Sequence, residues 1–437
     1  MRDSSSDTAR ADTRRLLALF ALAYFAQALS QLGGLIGQPL AYYLKQGVGL
    51  NAADVADYLA ILSLPWMIKP VYGLISDYLP LFGYRRRTWL FVVNLCAAAG
   101  FLWVANVADV GTLLIALFLT AFGTAAADVI IDAVMVEAGN RTGATGRFLG
   151  VQWMGFKSGA IVTALAGGYL ASMSEPATGL HIAASITLVA PLAVLIVSYL
   201  FVREMPSRID VEQMRATTRS LWQALRTPAL RVAAVFLALW CFSPAFGTPL
   251  YYHMTDRLGF AQSFIGQLNA LAAGGAIVGA WSYARYLAPQ PLARTAVISI
   301  VAAVLGVLAY LALAHPSPRA GIIAVPVSIA VGMTAQIGML MILAVAAAAC
   351  PPRVEGFVFA ALMSLYNGVE QLSAVIGARL YEHVFDRALA PLLWVAAASL
   401  MLCLLLVPSF NRLEKQNPAP AGSSSKRAAD MRRREAS

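Results

Sequence analysis

What most constrains this chain is a succession of apolar runs, each of roughly 20 residues or more. That is the length an α-helix needs to cross a hydrocarbon core. Cutting on that rule gives about twelve spans, at 16–44, 57–77, 88–107, 110–135, 148–172, 179–202, 229–254, 261–287, 293–314, 320–348, 356–382 and 389–409. The chain is 59% hydrophobic and 12% charged, against roughly 25% charged residues in soluble domains. Backbone groups in lipid must be satisfied within their own segment, so these runs take helical form. The expectation is an all-α membrane protein in the lipid bilayer. Span 16–44 is too long for a signal-peptide core and reads as a retained helix. Gly33, Gly34, Gly37 and Pro39 interrupt it, as suits a helix that lines a cavity or packs closely on a neighbour. Asn51, three residues before Asp54, reads as a helix N-cap.

The basic residues set the orientation. With both termini on one side, 25 Lys and Arg fall on that side and 4 (Lys45, Arg257, Arg319 and Arg387) on the other. Such a bias places both ends in the cytoplasm, here of a bacterial inner membrane. The net charge of +10 is then a matter of topology, and no nucleic-acid partner is implied. The organisation expected is a cytoplasmic tail over 1–15, with its polar start disordered, and a six-helix bundle over 16–202. A basic cytoplasmic linker over 203–228, a second bundle over 229–410 and a disordered basic tail over 411–437 complete it. A faint repeat relates the halves at an offset of 210, laying Gly146 on Gly356, Phe156 on Tyr366, Gly167 on Gly377 and Leu170 on Leu380. Faint internal symmetry of this kind is typical of secondary transporters. The cysteines and histidines are scattered, and no CxxC spacing or G-x-x-x-x-G-K-[ST] motif occurs. Hence no metal, no cofactor and no direct ATP drive are expected, and a proton gradient is the expected driving force.

One loop stands out. Gly73 and Asp77 end one span, and Gly83 leads Arg85, Arg86 and Arg87 into the next. An aspartate at the foot of an apolar helix needs a partner, and these arginines are the nearest. Gly73 has no side chain to keep a neighbouring helix away. The pattern suits a latch between parts that hold together in one state and separate in another, with Glu137 and Arg141 near it. Its faded counterpart is Gly279-x-x-x-Tyr283, followed by Arg285 and Arg294, and the tyrosine predicts a weaker second latch. Gly73-x-x-x-Asp77 with Gly83-x-Arg85-Arg86-Arg87 resembles the loop between helices 2 and 3 of the major facilitator superfamily. Pro65-Trp66-x-Ile68-Lys69-Pro70-x-Tyr72-Gly73 with Phe82 to Arg87 resembles the folate–biopterin transporter family within it. Two further strings are similar to that family. They are Ala127-Asp128-x-x-x-Asp132-Ala133-x-x-x-Glu137, where three residues intervene before Arg141, and Cys350-Pro351-x-x-x-Glu355-Gly356 running to Asn367. The resemblance implies the major facilitator fold, twelve helices in two pseudosymmetric six-helix halves. It also implies proton-coupled uptake of folate or pterin-like solutes by alternating access.

Ionisable residues inside spans are functional candidates by default. Asp128 and Asp132 are four apart and share a helix face. Two carboxylates so placed repel, and one that keeps its proton suits a proton-coupling site. Lys157 on the next span could offset one of them or meet a glutamate tail, while Asp128 or Asp132 could accept from a pterin amino group. An internal salt bridge that only joins helices is the competing reading. The repeat lays Asn367 on Lys157, with Glu370 one turn on, either a second protonatable group or the partner of Arg379. Gln27, Gln31 and Gln38 fall near one face of the first span. Trp153 and Tyr366 are the first aromatics to consider for stacking on a flat ring. A monomeric secondary transporter is the leading reading. Alternatives are a transporter of the same fold for muropeptides or siderophores, and a pigment-delivery or assembly factor on that fold. An intramembrane enzyme would need a second aspartate-rich motif, and the tenth span has Gln336 and no aspartate.

Overall fold

In this computed structural model the described residues are 2–107, 109–142, 145–202, 204, 227–350 and 355–410, with side chains at 2–12, 140, 141, 145 and 355–357 left aside. The expected linker and C-terminal tail fall almost wholly outside these residues, as does the side chain of Arg141. All regular structure among the described residues is helical. Among the described residues eight helical stretches are long and apolar enough to cross a membrane, two of them with a break at Ile68 or Leu188, and the other predicted spans are present as shorter or more polar helices.

The first half comprises α1 (Arg2–Ser30), α2 (Gly37–Tyr42), α3 (Ala52–Met67), α4 (Lys69–Tyr78), α5 (Arg87–Val104), α6 (Val110–Thr142), α7 (Thr145–Ala171), α8 (Pro176–Thr187) and α9 (Val189–Phe201). The second comprises α10 (Pro228–Cys241), α11 (Gly247–Asp256), α12 (Gln262–Ser282), α13 (Leu292–Ala309), α14 (Ala320–Ala349), α15 (Glu355–Arg379) and α16 (Leu389–Leu402). Helix α1 begins at Arg2, so the expected disordered start is a helical extension of the first span. It has no Gly or Pro before Gly33 to stop it. Asn51 caps α3 as the sequence suggests, its side chain accepting from the backbone N–H groups of Ala53 and Asp54.

Four described spans break, each where proline or glycine removes or loosens a backbone hydrogen bond. The first breaks between Ser30 and Gly37, the second at Ile68 ahead of Pro70, the sixth at Leu188 ahead of Pro191, and the seventh between Cys241 and Gly247 around Pro244. The freed groups of the seventh are taken up by its neighbours. Ser373 of α15 donates to Ser243 O and accepts from Ala245 N, and Ser243 Oγ donates to Ala396 O.

The halves meet where α7 packs on α12 and α15 on α3. Crossings this close depend on small residues. A Cβ on Gly266 would lie 2.5 Å from Ala164 O and 2.8 Å from the Cα of Gly168. On the other side of α7, a Cβ on Gly155 would fall 2.4 Å from Ala21 O. The close approach expected at Gly73 lies elsewhere. A Cβ there would meet only Val129 at 3.6 Å, whereas one on Gly279 would meet Met333 O at 2.3 Å. Backbone contact between helices is therefore made in the counterpart loop of the second half.

The cores show how the halves are disposed. At the end bearing the arginine-rich loops each half has its own apolar cluster, one around Phe20, Ile131 and Phe148 and one around Phe236, Met341 and Val358. At the opposite end a single cluster draws on both, from Ile36, Leu62 and Phe101 to Leu268, Tyr381 and Leu393. Polar contacts across the halves gather at that end too. Lys45 pairs with Asp256, its ammonium 4.5 Å from the centroid of Tyr252, and Arg379 pairs with Asp57 at 3.0 Å. The protein is thus closed at one end.

The tight crossing gives a first prediction. Gly266→Ala is expected to lower the thermal unfolding midpoint of detergent-purified protein by several degrees. Gly274→Ala, in the same helix with nothing within 4 Å of its added Cβ, should leave it unchanged or raise it, since alanine is the better helix former by about 0.5–1 kcal/mol.

Candidate functional site

The predicted loop forms its latch around one arginine. Gly83, with φ of 86°, and Phe82, with φ of 52°, make a two-residue turn closed by paired backbone hydrogen bonds between Leu81 and Tyr84. Glycine adopts that left-handed geometry without steric cost. The turn brings buried Arg86 back onto α4 and α6. Its guanidinium donates to Asp77, to Ser76 Oγ at 2.7 Å and to Glu137 Oε1 at 2.9 and 3.1 Å. Arg85 and Arg87 serve through their backbone instead. Glu204 accepts from the N–H groups of Arg85, Arg86 and Arg87, at 2.8, 2.9 and 3.1 Å, at the start of α5, where the helix leaves these donors unpaired. The Arg87 guanidinium lies 4.0 Å from the centroid of the Tyr199 ring. Glu137 joins the latch as expected, held by Arg86, whose planar fork reaches three acceptors at once; the side chain of Arg141, expected beside it, lies outside the described residues. All these partners belong to the first half or to Glu204, so the latch stiffens one half and does not bridge the two.

Asp128 and Asp132 lie inside the first half, on adjacent turns of α6. Asp128 accepts from Lys69 at 2.6 Å, and the ammonium also lies 4.6 Å from the Trp66 ring. Asp132 accepts from the hydroxyl of Tyr24 and, at the limit of hydrogen bonding, from Gln152 at 3.5 Å. The expected offset by Lys157 is not what forms. Lys157 projects from α7 across to the second half and donates to Gln336 Oε1 at 2.7 Å, 5.8 Å from the Trp153 ring. Lys69 takes the carboxylate because α4 restarts beside α6 immediately after the break at Ile68.

Pro70 explains a second contact. Without an N–H it leaves the carbonyl of Trp66, four residues earlier, unclaimed by the helix. Asn367 of α15 donates to that carbonyl at 3.1 Å. Lys157 and Asn367, equivalent under the repeat, thus each reach across to the opposite half. Glu370, one turn beyond Asn367, is exposed, and among the described residues no hydrogen bond or ion pair reaches it. Its suggested partner Arg379 holds Asp57. Tyr366 is half-buried in the second-half core.

Between the halves lies a cavity of about 480 Å³, within the size range of small-molecule sites. Gln31, Gln38, Thr163, Tyr251, Asn269 and Gln371, with Ser63 and Thr248, supply its polar lining, and no charged residue lines it among the described residues. Gln38 donates to Gln262 across the halves, and its Oε1 is buried without a partner. Ala160 of the lining sits one turn along α7 from Lys157. Gln27 lies elsewhere, on a small cavity beside Asp128.

Comparison with known proteins decides what this arrangement belongs to. The BT1 family profile matches residues 32–412. The chain belongs to the BT1 family. It is a membrane transporter and not an enzyme. It is 30% identical over 376 residues to a folate-biopterin transporter of Synechocystis sp., covering 84% of this chain and 74% of that one. It is 23% identical to a probable folate-biopterin transporter of Arabidopsis thaliana, over 83% and 87% of the two chains. Solved transporters share the fold. The nucleoside transporter NupG superposes with a TM-score of 0.67 at 13% identity, over 92% of this chain and 99% of that one. The peptide transporter POT superposes with a TM-score of 0.69 at 17% identity, over 91% and 95%. The major facilitator fold expected from the loop motif is thereby observed.

Three residues that partner Asp128 and Asp132 went unassigned in the sequence reading: Lys69, Tyr24 and Gln152. Lys69 could have been found, because a lysine beside a proline break in an apolar span needs a carboxylate within reach. Tyr24 and Gln152 carry no such signal, since their role depends on how α1 and α7 rotate against α6.

The Lys69–Asp128 pair yields a double-mutant prediction. Lys69→Met alone leaves Asp128 buried without its countercharge and should cost about 3–5 kcal/mol. Lys69→Met with Asp128→Asn removes both charges and should recover most of the lost thermal stability, measured on purified protein in one detergent.

Proposed function

We propose that this transporter carries folate or pterin-like solutes through the cavity between its halves by alternating access, coupled to protons. The inner membrane of a bacterium is its proposed home, with both termini cytoplasmic and a monomer as the working unit. The observation that carries the reading is the chemistry of the cavity. A pterin is flat and presents neutral donors and acceptors along its edge, and amides such as Gln38, Asn269 and Gln371 match it without paying the desolvation cost of a charge. Tyr251 offers a ring to stack on. Lys157, a turn away, supplies the cation for the carboxylates of a glutamate tail, and Gln336 holds it until they arrive. The relatives named as folate transporters support the substrate class. No particular observation favours muropeptides, siderophores or pigment delivery.

For coupling, the first half holds two carboxylates and one ammonium close together. Lys69 balances Asp128. Among the described residues Asp132 is hydrogen-bonded by the neutral donors of Tyr24 and Gln152 and has no ion pair of its own, so it is the group proposed to take and release the proton. The arginine-rich loops mark the cytoplasmic side, and the closed end opposite them makes this conformation open inward.

The test is uptake of labelled folate and of a simple pterin lacking glutamate into proteoliposomes, with and without an acid-outside pH gradient. Uptake of both should rise with the gradient, and Asp132→Asn should abolish the gradient's effect. Lys157→Gln should weaken folate uptake at least about tenfold, a loss of roughly 1.4 kcal/mol, and leave the simple pterin unchanged. Equal loss of both solutes in Lys157→Gln would remove the lysine from tail recognition. Failure of folded protein to move either would remove the substrate class.

A further inference from the structure

Beside the Lys69–Asp128 pair, within the first half, is a second cavity of about 30 Å³. It is separate from the large cavity between the halves. A cavity of this size takes one small guest, since a water needs about 10–15 Å³ by the same measure. Its polar walls converge from three helices: Gln27 and Ser30 on α1, Asn94 on α5, and Thr124 and Asp128 on α6. Each of these side chains carries an oxygen. Thr124 and Asp128 are four apart and share a face, as do Gln27 and Ser30 at a spacing of three.

The hydrogen bonds of these side chains show which atoms are spoken for. Asn94 commits its amide N–H to Leu90 O at 2.8 Å, which leaves its carbonyl oxygen. Ser30 donates its proton to Ala26 O, leaving the lone pairs of Oγ. Asp128 gives Oδ2 to Lys69 and retains Oδ1. Thr124 is 5% exposed, and its hydroxyl has no hydrogen-bond partner among the described residues. A buried hydroxyl left unpartnered costs about 1–3 kcal/mol, and a guest that accepts its oxygen as a ligand removes that cost.

We propose that this cavity is a binding site for a small monovalent cation, sodium or lithium, ligated by oxygens of Asp128, Thr124, Asn94, Gln27 and Ser30. Hard oxygen donors with one carboxylate suit such an ion. A divalent or transition metal is a poorer match, because no group of three or more His, Cys, Asp or Glu able to hold one occurs among the described residues. With Asp132 deprotonated, Asp128 and Asp132 against Lys69 leave one negative charge over, and one monovalent cation balances it inside the bilayer, where an unbalanced charge is expensive. The inference concerns ion binding and stands whether or not the solute is a pterin.

The test is ion binding by the full chain purified in detergent at constant ionic strength. Sodium chloride is exchanged stepwise for choline chloride while thermal unfolding and equilibrium binding of ²²Na⁺ are followed. A saturable, sodium-dependent rise in the unfolding midpoint with matching ²²Na⁺ binding is expected, reproduced by lithium and not by potassium. Thr124→Val, which keeps the shape and deletes the oxygen, should raise the half-saturating sodium concentration at least about tenfold while unfolding normally in choline. Gln27→Leu, at a half-buried position, gives the same reading should Thr124→Val fail to fold. Indistinguishable behaviour in sodium and choline would overturn the proposal and leave the cavity to water. Unaltered sodium affinity in whichever of these variants folds would also overturn it.

Discussion

A carboxylate inside a bilayer persists only with a partner, and Lys69 is the partner of Asp128. Much of the rest depends on how Lys69 comes to be there. An unbroken second span would continue its helical rotation and carry residue 69 on around the axis. The break at Ile68 restarts the helix and delivers the ammonium to α6. Pro70, which enforces the break, also frees the Trp66 carbonyl that Asn367 takes from the opposite half. A charge pair within one half and a hydrogen bond between halves are thus set by one interruption, Trp66 to Pro70. The two contacts therefore share one backbone element, the physical link that the proposed ion binding in the first half would need to reach the interface.

The two ends of the protein are held by different forces. The closed end shares an apolar cluster across the halves, reinforced by two ion pairs. The Arg379–Asp57 pair is exposed on both sides, and such pairs contribute about 0–1 kcal/mol. Lys45 is different. It is buried against Tyr252, Thr255 and Asp256, so its desolvation has already been incurred and losing its partner would be costly. The open end has no shared cluster, and Arg86 ties α4, α5 and α6 together there. That keeps the first half a rigid body, and rigid halves are what allow one interface to open as another closes.

Much of this was legible in the sequence, for reasons that can be named. Span positions follow from hydropathy, since the bilayer imposes the length and apolarity of each crossing. The loop from Asp77 to Arg87 was legible because an aspartate at a helix end and an arginine past a glycine turn are local in the chain. The partner of Asp128 was misassigned for the opposite reason. Lys69 and Lys157 lie on either side of α6 in sequence, and only the rotation of each helix decides which reaches the carboxylate. The placement of Gln31 and Gln38 on the large cavity, and of Gln27 on the small one, likewise depends on the break after Ser30. A helix continued through Gln31 would have kept all three near one face. The packing glycines Gly155, Gly168 and Gly266 were present but indistinguishable from other glycines without knowing which helices cross.

Hydropathy carried one further signal. The predicted spans that fall short of the length and apolarity of a clean crossing are those built from α1 and α2, α7, α10 and α11, and α15. These same helices carry Gln31, Lys157, Tyr251, Asn367 and Gln371, most of the larger polar residues that face the space between the halves, with Asn269 of α12 and Ser63 of α3 as exceptions. The coincidence has a physical origin. A helix surrounded by lipid must be apolar all along its length and unbroken, because nothing outside it can satisfy a polar group. A helix facing a polar cavity is released from both demands, since amides, hydroxyls and solvent can meet its side chains and its freed carbonyls. Selection for a solute path therefore lowers hydropathy and introduces breaks in the helices that line the path, and it leaves the lipid-facing helices alone. In a chain of this class, the weakest predicted spans are the first place to look for the substrate.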